Sequence, residues 1–264
     1  MSFTSEVKDE VSKLNFLEAE NISELSAIVS LFYDIEDHIK IVTENNSVAR
    51  RVYSLFKEIY HIYPTVSVRK GYNYSKKTLY VLEIKSNISS LLKSLGINGD
   101  VADDFIVADD DLIRAYLRGL FLVCASVNDP KTSNYHMEIS CQHESLAISV
   151  QKLMQRFHLP AKVVVRKNNY IVYLKAGDKI ADFLRLCNAS QALFEFEDSR
   201  IQRDFYNQLT RLDNCELANE MKTLKAAQKQ LDDIEVLEAN ASKVRIPEKI
   251  QHVIEIRKQF PDDS

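Results

Sequence analysis

A chain of 264 residues with 45% hydrophobic and 27% charged side chains has an ordinary globular composition, long enough for one large domain or two. Its formal net charge of −4, from 34 Lys and Arg against 38 Asp and Glu, excludes a uniformly basic body and leaves room only for a local basic patch. The cysteines Cys124, Cys141, Cys187 and Cys215 show no Cys-x-x-Cys spacing, so free thiols in a reducing compartment are expected rather than a disulfide framework.

The N-terminal stretch Met1-Ser-Phe-Thr-Ser-Glu-Val-Lys-Asp-Glu10 lacks the basic start and apolar run of a signal peptide. No segment approaches the ~18 apolar residues of a membrane span, and a cytoplasmic protein is expected. Phe3, Val7, Val11 and Leu14 form a helical stripe. Asn21 followed by Glu24 reads as an N-cap with its reciprocal carboxylate, opening an apolar helix over about 22–33. A strand follows at Ile35–Val42. Ser47 is then expected to cap a helix whose Val48, Val52, Leu55 and Ile59 share one face, with Pro64 ending it. Strands at Thr65–Lys70 and Leu79–Lys85, joined by a polar turn with Gly71 and Asn73, and a short helix from Ile88 to Leu95 complete the unit.

After an acidic linker spanning Asp100 to Asp111, the same order returns. In the apolar helix that opens at Ala115, Leu117-Arg-Gly-Leu-Phe-Leu-Val-Cys-Ala125 is matched to Leu25-Ser-Ala-Ile-Val-Ser-Leu-Phe-Tyr33, so that Gly119 occupies the place of Ala27. Interior glycine is disfavoured by about 1 kcal/mol relative to alanine, and close approach of a second helix explains it. A strand at Tyr135–Cys141 follows, then a helix with Leu146, Val150, Leu153 and Phe157. Ala161–Lys167 ends in the same Val-Arg-Lys as Val68–Lys70, and Tyr170–Lys175 parallels Tyr80–Lys85. Leu117 follows Leu25 by 92 residues and Arg166 follows Arg69 by 97, so the drift is confined to loops. The fold class is therefore α+β, with two copies of one unit over about 22–98 and 109–190 related by a pseudo-two-fold axis at Ala27 and Gly119. On the Thr65–Lys70 strand, Val66 and Val68 are expected to face the core while Arg69 faces outward. In the second copy Val163 and Val165 are expected to face the core, with Arg166 outward.

Paired half-units that each open on such a helix resemble the LAGLIDADG homing-endonuclease fold. The closer resemblance is to the WhiA family of sporulation and cell-division regulators. It is carried by the N-terminal ten residues, Ala115–Pro130, Tyr135–Ile139, Phe194–Asp204 and above all Arg211-Leu-Asp-Asn-Cys-Glu-Leu-Ala-Asn219. The resemblance implies a non-enzymatic DNA-binding regulator with a degenerate endonuclease body and a C-terminal helix-turn-helix. In an active enzyme of the LAGLIDADG class the eighth motif position of each helix is an acid that holds divalent metal. Here those positions are Phe32 and Cys124, and neither side chain suits Mg²⁺. Asp34 and Glu36 lie near the first, but no acid of the second half matches them. No metal or other cofactor is expected.

The resemblance divides the chain into a body over 1–198, a helical linker over 199–240 and the start of a helix-turn-helix domain over 241–264. There Pro247 opens a helix and Pro261-Asp-Asp-Ser264 reads as the turn before a recognition helix. The expected partner is double-stranded DNA, bound weakly through Arg69, Lys70, Lys85, Arg166, Lys167 and Lys175 by a monomer associated with the nucleoid. Protein partners in the transcription or division machinery form a further expectation. Two alternatives are a metal-dependent endonuclease and a protein-interaction scaffold. The cluster His136, Cys141 and His143 is not expected to hold metal, because His136 and Cys141 point to opposite faces of a strand.

Overall fold

The computed structural model describes residues 2–34, 38–70, 78–99, 101–132, 134–240 and 245–260. The expectations placed on Ile35, Glu36, Asp37, Gly71, Asn73, Asp100 and the Pro261–Ser264 turn fall outside these described residues. The chain divides into two compact units, residues 1–200 and 201–264.

In the first unit, α1 (Phe3–Val11) is capped by Ser2, whose hydroxyl accepts from the Ser5 N–H, and it buries Phe3, Val7 and Val11. The apolar helix α2 spans Glu18–Ser30 and stops short of the expected 33, because the chain turns at Leu31 and Phe32 into β1 (Tyr33–Asp34). Its N-cap is Leu17, without a side-chain bond, and not Asn21. Asn21 lies inside the helix, where its amide donates to the Phe16 carbonyl at 3.1 Å and its oxygen accepts from Arg51 at 2.6 Å. Strand β2 covers His38–Thr43, and α3 runs from Asn46 to Tyr60. Its cap is Asn45 rather than Ser47, with the Asn45 oxygen accepting from the Val48 N–H at 3.0 Å. Helix α3 ends at His61 in a left-handed conformation, three residues ahead of Pro64. It buries Val48, Val52, Leu55 and Phe56, each side chain contributing about 1.5–3 kcal/mol. Strands β3 (Thr65–Lys70) and β4 (Thr78–Ile84) and helix α4 (Ile88–Ser94) close the half.

The second half repeats the plan. Helix α5 (Asp110–Cys124) is capped by Asp109 and leads directly into β5 (Ala125–Val127), which is followed by β6 (Met137–Cys141) and α6 (Glu144–Arg156). Strands β7 (Lys162–Arg166) and β8 (Asn169–Leu174) and helix α7 (Gly177–Leu186) complete it. The two antiparallel sheets have the same order, β1-β2-β4-β3 and β5-β6-β8-β7. Their inner faces, carrying Ile39, Ile41, Leu82 and Ile84 in one half and Met137, Ile139, Val172 and Leu174 in the other, join one continuous core with α2 and α5.

The outermost strands depart from expectation. Val66 pairs with Leu82 and Val68 with Tyr80, so both have the parity of the core-facing side, yet they are 49% and 60% exposed. In the second half Val163 is half-buried and Val165 is 63% exposed. Alternation assigns a side, but only a covering helix buries it, and α3 lies on β2 and β4 rather than on β3. Both β3 and β7 are edge strands; α6 packs against β7 as well as β6 and β8, yet most of both edge strands stays exposed.

Helix α1 ties the halves together. Thr4 Oγ1 donates to the Val127 carbonyl at 2.7 Å and accepts from the Val127 N–H at 2.9 Å, while Ser5 and Asp9 accept from Asn45. The Glu10 carboxylate accepts from the backbone N–H groups of Gln191 and Ala192 at 2.7 and 2.9 Å, capping the start of α8 (Ser190–Ala239), where a negative charge is favoured. Residues 199–239 thus belong to one continuous helix. In the second unit, Ala227 and Ile234 of α8 and Ile254 of α9 (Glu248–Gln259) are buried. Pro247, expected as the first helical residue, is instead the N-cap of α9, whose first helical residue is Glu248.

Candidate nucleic-acid interface

The interface is framed by the seam between α2 and α5, which pack directly on one another. A Cβ built on Gly119 would stand 2.9 Å from the Ala27 Cβ and collide with the Glu24 carbonyl oxygen, so the small residues mark the close approach of the two helices. Beside this contact lies a buried ionic cluster that the sequence reading missed. Arg118 Nε donates to Glu24 at 2.7 Å, and Arg51 Nε donates to the other oxygen of the same carboxylate at 2.9 Å. The side chains of Glu24 and Arg118 are each 1% exposed, and the Arg118 guanidinium lies 3.4 Å from the centre of the Phe16 ring. Arg118 Nη2 finds no hydrogen-bond partner and approaches Glu20 only to 3.9 Å. The available signal was an arginine inside an otherwise apolar helical run.

At the C-terminal ends of the two seam helices stand Phe32 and Cys124. Phe32 is half-buried and packs against the core. The Cys124 thiol donates to the Leu120 carbonyl at 3.1 Å. Burial pushes this thiol well above its ordinary range, with the neighbouring Cys141 adding to the shift and Lys8 opposing it. It therefore stays neutral at pH 7, and the thiolate is the form that binds metal. Neither position offers a carboxylate. Among the described residues, no group of three His, Cys, Asp or Glu side chains converges as a metal site. Cys141 is buried in the core, whereas His136 stacks on Tyr173 and lies 3.1 Å from Glu138.

The strand register fixes the outer face of each sheet. In the first half Lys40 sits opposite Glu83, which sits opposite Thr65, and Arg69 lies opposite Leu79 near the end of β3. In the second half Glu138 lies opposite Tyr173, which lies opposite Lys162, and Arg166 faces Asn169 at the end of β7. Arg69 and Arg166 thus occupy corresponding places on the two outer faces. Lys70, one residue on, has the opposite parity and does not share the face of Arg69. Lys167 takes a left-handed conformation (φ 55°) in the turn between β7 and β8.

Lys85 directly follows β4 and pairs with Glu83 at 3.4 Å, and Lys175 directly follows β8 with its ammonium 5.3 Å from the centre of the Tyr173 ring. Arg166 reaches Glu138 at 3.4 Å. These exposed pairs are worth about 0–1 kcal/mol each and can open toward a phosphate. They also show that acidic residues temper both faces. Lys40 and Lys162 share these faces and were missed, because alternation within β2 and β7 placed them there without marking them as more than solvated charges.

Twin αββαββα repeats about a helix seam, with the acid of each motif replaced by Phe32 and Cys124, define a degenerate LAGLIDADG-like body. Family models agree along the chain: the WhiA N-terminal LAGLIDADG-like domain matches residues 18–98, the WhiA LAGLIDADG-like domain 113–206 and the WhiA C-terminal HTH domain 209–264. The chain belongs to the WhiA family. It is 37% identical over 275 positions to the probable cell division protein WhiA of Enterococcus faecalis (strain ATCC 700802 / V583), covering 100% of this chain and 88% of that protein. It is 38% identical over 274 positions to the protein of the same name from Staphylococcus aureus (strain USA300), covering 100% and 87%. The crystal structure of full-length WhiA from Thermatoga maritima superposes with a TM-score of 0.68 at 24% identity, covering 99% of this chain and 88% of that one. That of an N-terminal LAGLIDADG domain of WhiA gives 0.59 at 25% identity, covering 70% and 90%. No helix among the described residues is long and apolar enough to cross a membrane.

Proposed function

We propose that this chain is a non-enzymatic DNA-binding regulator of transcription and cell division, acting in the cytoplasm at the nucleoid. The observation that carries the reading is the twin outer sheet faces, each with an arginine at a corresponding place (Arg69 and Arg166), flanking motif-helix ends that offer no carboxylate at either eighth position. Cations neutralise phosphates without reading bases, so this body supplies affinity rather than discrimination. Sequence readout belongs to the C-terminal part, where the HTH family match begins at residue 209, inside the stretch first assigned as linker. The names of the relatives support the cell-division role.

Hydrolysis of a phosphodiester at this seam would require a hard cation held by oxygen ligands. Incubating the chain with a randomised duplex pool in Mg²⁺ or Mn²⁺ should therefore give retarded but intact DNA. Divalent-dependent cutting that disappears on changing Asp34 or Glu36 would overturn the reading in favour of an endonuclease. Absence of any retardation at low salt would favour a scaffold that binds protein alone.

A further inference from the structure

The foot of the seam holds a group that the proposed DNA contacts do not use. A cavity of about 740 Å³ opens there, lined by the first turns of α1, the end of β2, Thr78 and Val123. Lys8 lines it and is partly buried. Among the described residues its ammonium makes no hydrogen bond or ion pair; it lies 5.8 Å from the centre of the Phe121 ring, and Glu44 lines the same cavity. Two hydroxyls line the same space, Ser2 Oγ accepting from the Ser5 N–H and Thr43 Oγ1 from the Asn45 N–H, and among the described residues neither donates a hydrogen bond. An amine, two hydroxyl donors and open access form a setting for nucleophilic chemistry on a small phosphorylated electrophile.

We propose that Lys8 is a modification site that accepts an acyl group from an acyl phosphate entering this cavity. The lone pair of the neutral amine attacks the acyl carbon and a C–N bond forms. The bond from the acyl carbon to the bridging oxygen then breaks, its electron pair leaving on that oxygen as inorganic phosphate, and the surplus proton on nitrogen passes to water. Ser2 and Thr43 can donate to the developing oxyanion or to the phosphoryl oxygens. The product is a neutral amide, which removes a positive charge beside Cys124.

The state of Lys8 favours the step. Burial lowers its pKa from 10.5 to about 8, while Cys124 on α5 and Glu44 after β2 pull in the opposite direction. The sign is that of a desolvated cation: the charged form is penalised, so free amine accumulates at lower pH than for a solvated lysine.

The experiment treats the folded chain with acetyl phosphate at pH 8 and follows acetylation of each lysine by peptide mass spectrometry, with the exposed Lys57 and Lys93 as internal references. The greater free-amine fraction, partly offset by the weaker nucleophilicity of a less basic amine, leads to a rate at Lys8 about ten-fold above the references. That advantage should vanish in urea, and the Lys8 rate should level off above about pH 8 while the reference rates keep rising. A Lys8 rate equal to or below the references in the folded chain, or a preference that survives in urea, overturns the proposal.

Discussion

Replacing Gly119 with alanine is expected to destabilise the first unit by about 2 kcal/mol, although alanine improves a helix interior by about 1 kcal/mol. The new methyl would lie 2.9 Å from the Ala27 Cβ and against the Glu24 carbonyl oxygen. A backbone oxygen cannot swing aside like a flexible side chain, so α2 and α5 must separate along their shared length. Separation also loosens the ionic cluster beside the contact. Ala27→Gly should rescue only part of the loss, since the Glu24 carbonyl remains in the way. The control is Gly99→Ala, where a Cβ meets nothing within 4 Å. Urea midpoints for the variants measure the effect, and an unchanged or raised midpoint for Gly119→Ala would show that the seam tolerates a wider spacing.

Glu24→Gln should cost more, about 3–5 kcal/mol, because one carboxylate serves two buried guanidiniums. Its loss leaves Arg118, 1% exposed, without a full counter-charge in the interior. Arg118→Met should cost distinctly less: Glu24 keeps Arg51, the unpartnered Nη2 disappears, and the methionine can still pack near Phe16. This order, with the acid more critical than either base, distinguishes a shared carboxylate from two independent pairs. Denaturant unfolding of the two single variants decides it. Equal losses for Glu24→Gln and Arg118→Met would contradict the sharing.

The seam, the repeat and the helix stripes were readable because periodicity carries them. Apolar residues at helical spacing in α3 and α6, and the matched Leu-x-small pattern of α2 and α5, each report on a face that packing then buries. The Asn21 cap was misread because a polar side chain before an apolar run can serve a distant partner as well as its own helix, and Arg51 lies 30 residues away. Arg118 and Glu24 stand 94 residues apart, and no local pattern links them. Val66 and Val68 mark a third limit. Alternation gives their side of the sheet, but the reach of α3 decides their burial, and that depends on which strands the helix sits across, here β2 and β4. The arginines Arg69 and Arg166 could be placed by the repeat, whereas the acids Glu83, beside Lys85, and Glu138, beside Arg166, mattered only once the strands were paired.

The central claim, that twin outer faces contact DNA phosphates without reading sequence, is tested most directly by a salt titration of duplex binding. Wild type and the double variant Arg69→Ala/Arg166→Ala are compared on two unrelated duplexes. For a protein neutralising Z phosphates, the slope of log K against log salt is about −0.9Z. The account predicts weak binding, similar on both duplexes and falling steeply with salt, with the double variant binding more weakly and its slope shallower by about 2. Tight binding to one duplex alone, or a double variant indistinguishable from wild type, would contradict it.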